Sequence, residues 1–168
     1  MTKYELAIDI ITFFEQCKLK AYKCPAGIWT IGYGSTKNVT LGMEITLDQA
    51  NERLESDLHD SEKKVFTALK VNVNDNCYAA LLSLGFNLTT RSAIMLINHL
   101  NKDEKLFREK MLLYCKDINK QFLKGLKIRR ICERLLCEGR EWKSIAKELQ
   151  PKQVKIDKIL EREKELFS

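Results

Sequence analysis

The sequence predicts an α+β fold in which a small antiparallel β-sheet lobe is joined by a long helix to a larger helical lobe. Three observations carry this. Glycines punctuate residues 22–45, with Gly27, Gly32, Gly34 and Gly42 separating short runs such as Ile28-Trp29-Thr30-Ile31; such runs read as brief strands joined by turns. A capping box, Thr46-x-x-Gln49, opens a stretch whose apolar residues Ala50, Leu54, Leu58, Val65 and Leu69 follow one stripe. Beyond it, apolar spacing is helical to the end of the chain.

The elements follow in order. Residues 4–16 place Leu6, Ile10, Phe13 and Phe14 at helical spacing, with Ala7 and Ile11 alongside, which predicts an amphipathic helix ending at Glu15. Pro25 biases Cys24 away from helical dihedrals. A helix over 47–70 would span about 36 Å and bridge two lobes. Further helices are expected at roughly 75–87, 92–100, 103–115, 127–138 and 142–149. Pro151 interrupts, and a last helix is expected near 152–166. Trp29 and Trp142 are read as core. The predicted organisation is one domain, with 1–12 and 74–149 forming the helical lobe and 13–60 the small β-containing lobe. Residues 61–73 form the end of the linking helix, and 150–168 an extra C-terminal helix.

Composition narrows the classes. The chain has 168 residues, 45% apolar and 31% charged, with only 7 Gly and 2 Pro. That suffices for a core and excludes collagen-like or Pro/Gly-rich disordered chains. No apolar run approaches the ~18 residues of a membrane span, and Met1-Thr2-Lys3-Tyr4-Glu5 lacks the layout of a secretory signal. Charge is uneven. Residues 1–97 hold 10 Lys/Arg against 11 Asp/Glu, residues 98–140 hold 12 against 6, and residues 141–168 hold 7 against 6. This predicts a basic face near the C-terminus for an anionic partner: nucleic acid, a membrane surface or the bacterial cell wall. A solvated helical surface is the bland alternative. The six cysteines form no Cys-x-x-Cys pair, and His59 and His99 lie 40 positions apart. That spacing predicts no structural zinc site, and no cofactor is expected; each Cys reads singly as a small buried hydrophobe.

Glu15, Cys24 and Thr30 form the chemical constellation. A helix end packed on a small sheet can bring all three to one cleft wall. A carboxyl half-buried among apolar groups keeps its proton near neutrality and can serve as a general acid. A second polar group can activate a water, and a hydroxyl can orient it. Such a set suits inverting glycoside hydrolysis, in which acid and water-activating group stand ~6.5–9.5 Å apart. Taken singly, Glu15 reads as a solvated helix end, Thr30 as a strand former and Arg129-Arg130 as basic surface.

The stretch Phe14-Glu15-x-Cys17-x-Leu19-x-Ala21-Tyr22-x-Cys24-x-x-Gly27-x-x-Thr30-Ile31-Gly32-Tyr33-Gly34 resembles the active-site signature of the phage-type lysozymes, glycoside hydrolase family 24, in which a Glu is followed by eight residues, Asp or Cys, five residues and Thr. Gly42-x-x-Ile45-Thr46 with Gln49-Ala50, Phe86-Asn87 and Gly125-Leu126-x-x-Arg129-Arg130-x-x-Glu133-Arg134 extend the likeness over about 5–142. The resemblance implies a lysozyme-like fold and an endolysin that cleaves the β-1,4 bond between N-acetylmuramic acid and N-acetylglucosamine in bacterial peptidoglycan. Glu15 would be the general acid, Cys24 the second catalytic group and Thr30 a water-placing group. Arg129 matches the arginine that pairs with the acid, and Thr36 and Phe86 match sugar-cleft positions. A monomer is expected, with no nucleic-acid partner and no stable membrane insertion, held in the host cytosol until a membrane lesion opens the way to the wall.

The sequence departs from the pattern at several places. Ser35 follows Gly-Tyr-Gly where many relatives carry His, so no ionic contact is expected there. Asn87-Leu88-Thr89 replaces Asn-Val-Gly, and 91–101 match poorly. Cys24 in place of Asp matters chemically, since an ordinary thiol is only about 3% thiolate at pH 7. Cys17 and Cys24 could also close a short regulatory disulfide, were their Cα atoms within ~7 Å. The competing readings are a non-catalytic peptidoglycan-binding or inhibitory module with a degraded site, and a nucleic-acid binder through 98–140, which has only charge behind it.

Overall fold

The computed structural model describes residues 1–24, 26–116 and 120–168. The elements, in chain order, are α1 (Lys3–Phe14), β1 (Lys18–Lys23), β2 (Trp29–Gly32), α2 (Leu47–Val65), α3 (Asp75–Asn87), α4 (Thr90–Leu100), α5 (Glu104–Met111), α6 (Lys124–Cys137), α7 (Lys143–Leu149) and α8 (Ile156–Phe167). The expected α+β layout is present.

The α1 helix begins at a capping box, Thr2 with Glu5, and buries Ala7, Ile10 and Ile11, so its innermost face lies to one side of the predicted stripe. Phe13 and Phe14 are partly buried and meet the ring of Trp142, at 5.2 and 6.4 Å between centroids. The sheet has two antiparallel strands, pairing Lys18 with Gly32, Tyr22 with Thr30 and Lys23 with Trp29, with a register shift between Lys18 and Tyr22. It starts earlier than the glycine-rich region suggested, because Glu15 already adopts an extended conformation (φ −93°, ψ 135°) that ends the helix. Isolated bridges Lys20–Glu44 and Ile31–Ser35 extend the pairing. The turn after β2 requires Gly34 at φ 110°, where a side chain would be strained.

The capping box of α2 is complete: Thr46 Oγ1 accepts from the Gln49 N–H (3.2 Å) and Gln49 Oε1 from the Thr46 N–H (2.9 Å). Thr46→Ala is expected to cost about 1 kcal/mol and to lower the melting temperature by about 2–4 °C, as thermal circular dichroism would register. The helix stops at Val65, five residues before the expected end, and passes into a 3₁₀ turn over Phe66–Ala68. Asn101, from the end of α4, supplies the reason. Its Oδ1 accepts from the Lys70 N–H (2.8 Å) and its Nδ2 donates to the Ala68 carbonyl (2.7 Å), taking the backbone groups that another helical turn would use.

The core is built where α1 packs on α3, α3 on α6, and α2 on α3. The α6 helix is almost wholly inside, including Lys127, Arg129, Arg130 and Glu133. This corrects the expected basic face. Part of the positive excess of 98–140 points inward or is ion-paired: Lys127 to Glu163 (2.7 Å), Arg134 to Glu138 (2.9 Å) and Arg140 to Glu138 (3.1 Å). The tail is a packed helix. Ile159 of α8 is fully buried, Arg140 Nη1 donates to the Leu166 carbonyl (2.9 Å), and the Arg134 guanidinium lies 3.8 Å from the Phe167 ring centroid. Among the described residues no helix is long and apolar enough to cross a membrane.

Candidate active site

A cleft of about 520 Å³ lies between the small lobe and the helices. Glu15 stands on one side, at the junction of α1 and β1. Tyr33, Gly34 and Thr36 come from the turn after β2, Asp57 and Asp60 from α2, and Phe86 and Asn87 from the end of α3. Of the residues read from the sequence, Glu15, Thr36 and Phe86 thus share one cavity.

Backbone geometry fixes Glu15. Its N–H donates to the Ile11 carbonyl (2.8 Å), the last turn of α1, and its side chain, 30% exposed, turns toward Arg129 of α6. Arg129 Nη1 donates to Glu15 Oε1. The surroundings of Glu15 are therefore less apolar than the sequence suggested. Arg129 is itself held from behind: its Nε donates to Glu133 Oε1 (3.1 Å) and its Nη2 to Ser83 Oγ (3.2 Å), while Ser83 Oγ donates to Glu133 Oε1 (2.6 Å). Arg130 Nη2 donates to Asn87 Oδ1 (2.6 Å), and its Nη1 lies 3.1 Å from Glu133 Oε2, an ion-pair contact without hydrogen-bond alignment. Burial pulls the Arg130 pKa down to about 10, against the opposing field of Glu133. Glu133 is thus one fully buried carboxylate serving two guanidiniums.

Cys24 and Thr30 lie together on the small lobe, outside the residues that line the cleft. The thiol is in contact with the Thr30 hydroxyl, and its pKa is lowered, first by the Ile28 backbone N–H and then by that of Ala26, with Thr30 adding to the effect. Thr30 is buried, and its Oγ1 donates to the Ile28 carbonyl (3.0 Å). Cys17 and Cys24 are separate free thiols rather than a disulfide. Cys17 instead contacts the hydroxyl of Tyr33, whose pKa is raised chiefly by burial and further by that thiol. Where an ionic contact was not expected, Ser35 makes a neutral substitute: its hydroxyl donates to Asp57 Oδ2, tying the turn after β2 to α2.

Sequence reasoning missed Asp57 and Asp60 in the cleft wall and the roles of Ser83 and Glu133. Their spacing on α2 gave a faint signal for the first pair, since positions three apart share a helix face. The block containing Arg129 and Glu133 also places them at i and i+4.

A small sheet lobe and a helical lobe facing each other across a carboxylate-bearing cleft define a lysozyme-like glycoside hydrolase. Residues 12–133 match the phage lysozyme family, and the chain belongs to it. A SAR-endolysin of Haemophilus phage HP1 (strain HP1c1) is 31% identical over 150 residues, 79% of each chain. An endolysin of Acyrthosiphon pisum secondary endosymbiont phage 1 is 40% identical over 84 residues, half of this chain and 58% of that relative. Among solved structures, the endolysin from Escherichia coli O157:H7 phage FAHEc1 superposes with a TM-score of 0.73 at 33% identity, covering 82% of this chain and 93% of that one. The active form of the P1 phage endolysin Lyz gives 0.71 at 27%, covering 80% and 84%.

Proposed function

We propose that this chain is an endolysin that hydrolyses the β-1,4 bond between N-acetylmuramic acid and N-acetylglucosamine in bacterial peptidoglycan. One observation carries the reading: Glu15 projects into the cleft from the small-lobe side while an arginine anchored deep in the helical lobe grips it. The carboxyl group is thereby aimed at whatever sugar oxygen lies between the lobes. Glu15 donates its proton to the leaving glycosidic oxygen as the bond breaks. Thr36 and Phe86 flank the sugars, the aromatic ring offering an apolar face to a pyranose. Cys24 and Thr30 form the second polar group, with the thiolate drawing a proton from water and the hydroxyl orienting that water.

The test is release of reducing N-acetylmuramic acid ends from purified peptidoglycan. Anomer analysis of the first product by NMR separates attack by water, with inversion, from attack by sulfur. A second reading, a peptidoglycan-binding module without catalysis, is favoured by the position of Cys24 outside the cleft lining. It predicts sedimentation with the wall and no new reducing ends.

The Cys24 thiol gives a pH prediction. Its pKa is lowered, so thiolate appears as pH rises through a value below that of an ordinary thiol (about 8.5). Activity is expected to climb between pH 6 and 8. Cys24→Ser should lose that rising limb, and Cys24→Asp should gain activity at pH 6, where a carboxylate is already ionised. A flat or falling wild-type profile over this range would remove the thiolate from the reaction.

A further inference from the structure

Away from the cleft, three helix ends meet at one point of the helical lobe. Cys77 lies in the first turn of α3, its N–H held by Asn74 Oδ1 (2.8 Å). Cys137 is the last residue of α6, and Glu104 the first of α5. The two sulfurs and a Glu104 carboxylate oxygen all lie within 4.8 Å of one another. Both thiols are buried, and they contact each other directly. The backbone enforces this proximity. At Gly139, just past α6, a Cβ would come within 3.2 Å of Asn76 Nδ2, so the end of α6 runs tightly against the start of α3. A hollow of about 300 Å³, lined by Asn72, Asn74, Cys77 and Glu104 among others, opens beside the cluster. Nothing in the hydrolytic reading uses these groups.

We infer that Cys77, Glu104 and Cys137 form a binding site for a thiophilic divalent cation of the zinc type, with water from the adjoining hollow as fourth ligand. Two thiolates and a carboxylate are a soft, borderline donor set that suits such an ion and repels none of its chemistry. Zinc–sulfur bonds of about 2.3 Å in a tetrahedron put ligand atoms roughly 3.5–3.8 Å apart, so the cluster has to contract by about 1 Å. Charge balances. Two thiolates and one carboxylate carry three negative charges, the ion supplies two positive ones, and Arg108, which donates to Glu104 Oε1, supplies the third. Uptake displaces two protons, one from each thiol, and consumes nothing else. The sequence spacing hides the site because Cys77 and Cys137 are 60 positions apart and each comes from a different helix.

The full chain, stripped with a chelator and kept reduced with a phosphine, is titrated with cobalt(II). The expected result is a sulfur-to-cobalt charge-transfer band saturating at one ion per chain, with release of two protons per ion and loss of the band on adding zinc. Cys77→Ser and Cys137→Ser should each abolish the band. Glu104→Gln, at an exposed position, should retain the band and bind about tenfold more weakly. The double variant Cys17→Ser/Cys24→Ser should behave as wild type. The inference fails if wild type shows no band at stoichiometric cobalt, if the band is lost with Cys17 and Cys24, if Glu104→Gln binds unchanged, or if a Cys77–Cys137 disulfide persists under the phosphine and excludes the ion.

Discussion

Glu15→Gln is expected to abolish lysis of permeabilised Gram-negative cells, lowering the rate by at least the ~10²–10⁴-fold that a positioned proton donor contributes, while leaving the melting temperature within a few degrees of wild type. The amide is isosteric and can still accept from Arg129 Nη1 through its oxygen, so the link between lobes survives. What it lacks is a proton that can leave. A double measurement separates the cases: turbidity loss for activity, and pull-down with purified peptidoglycan for binding. Undiminished lysis by the variant would strike Glu15 from the mechanism. Lost binding together with lost lysis would point to a site that failed to form rather than to missing chemistry.

Glu133→Ala is expected to cost about 3–5 kcal/mol of stability and to lower the melting temperature by on the order of 10 °C. The carboxylate is fully buried and faces Arg129 Nε at 3.1 Å, Arg130 Nη1 at 3.1 Å and the Ser83 hydroxyl at 2.6 Å. Removing it leaves two guanidiniums side by side in the interior, with Arg130 itself fully buried. Glu133→Gln should do less harm, because the amide oxygen still accepts from Ser83 and Arg129. Thermal unfolding by circular dichroism orders the three proteins, and a drop of under about 3 °C for the alanine variant would show that the network contributes little.

Local chemistry was legible in the sequence; long-range satisfaction of charges was not. Thr46 and Gln49 announce the start of α2 because a capping box is written in four consecutive residues. The end of α2 is not announced, because Asn101, which takes over its last backbone groups, stands 31 residues from Lys70 in the chain. Glu15, Thr36 and Phe86 emerge from spacing and share the cleft. Taken singly, Arg129 and Arg130 read as surface because charged residues usually are; it is the family resemblance that pairs Arg129 with the acid, as the structure has it. Only the fold reveals that Glu133, Ser83 and Asn87 give them partners inside. Asp57 was invisible for a similar reason: its partner, Ser35, stands 22 residues earlier, on the turn after β2.

The last turn of α8 is fastened to α6 at Arg134 and to Arg140 just beyond the end of α6, and Glu163 one turn earlier holds Lys127. That makes the final helix a buttress behind the very segment whose other face carries Arg129. Trimming a few residues there, Phe167 included, would slacken the guanidinium's mounting without touching the cleft. Damage at the far end of the polypeptide would then register as slower turnover.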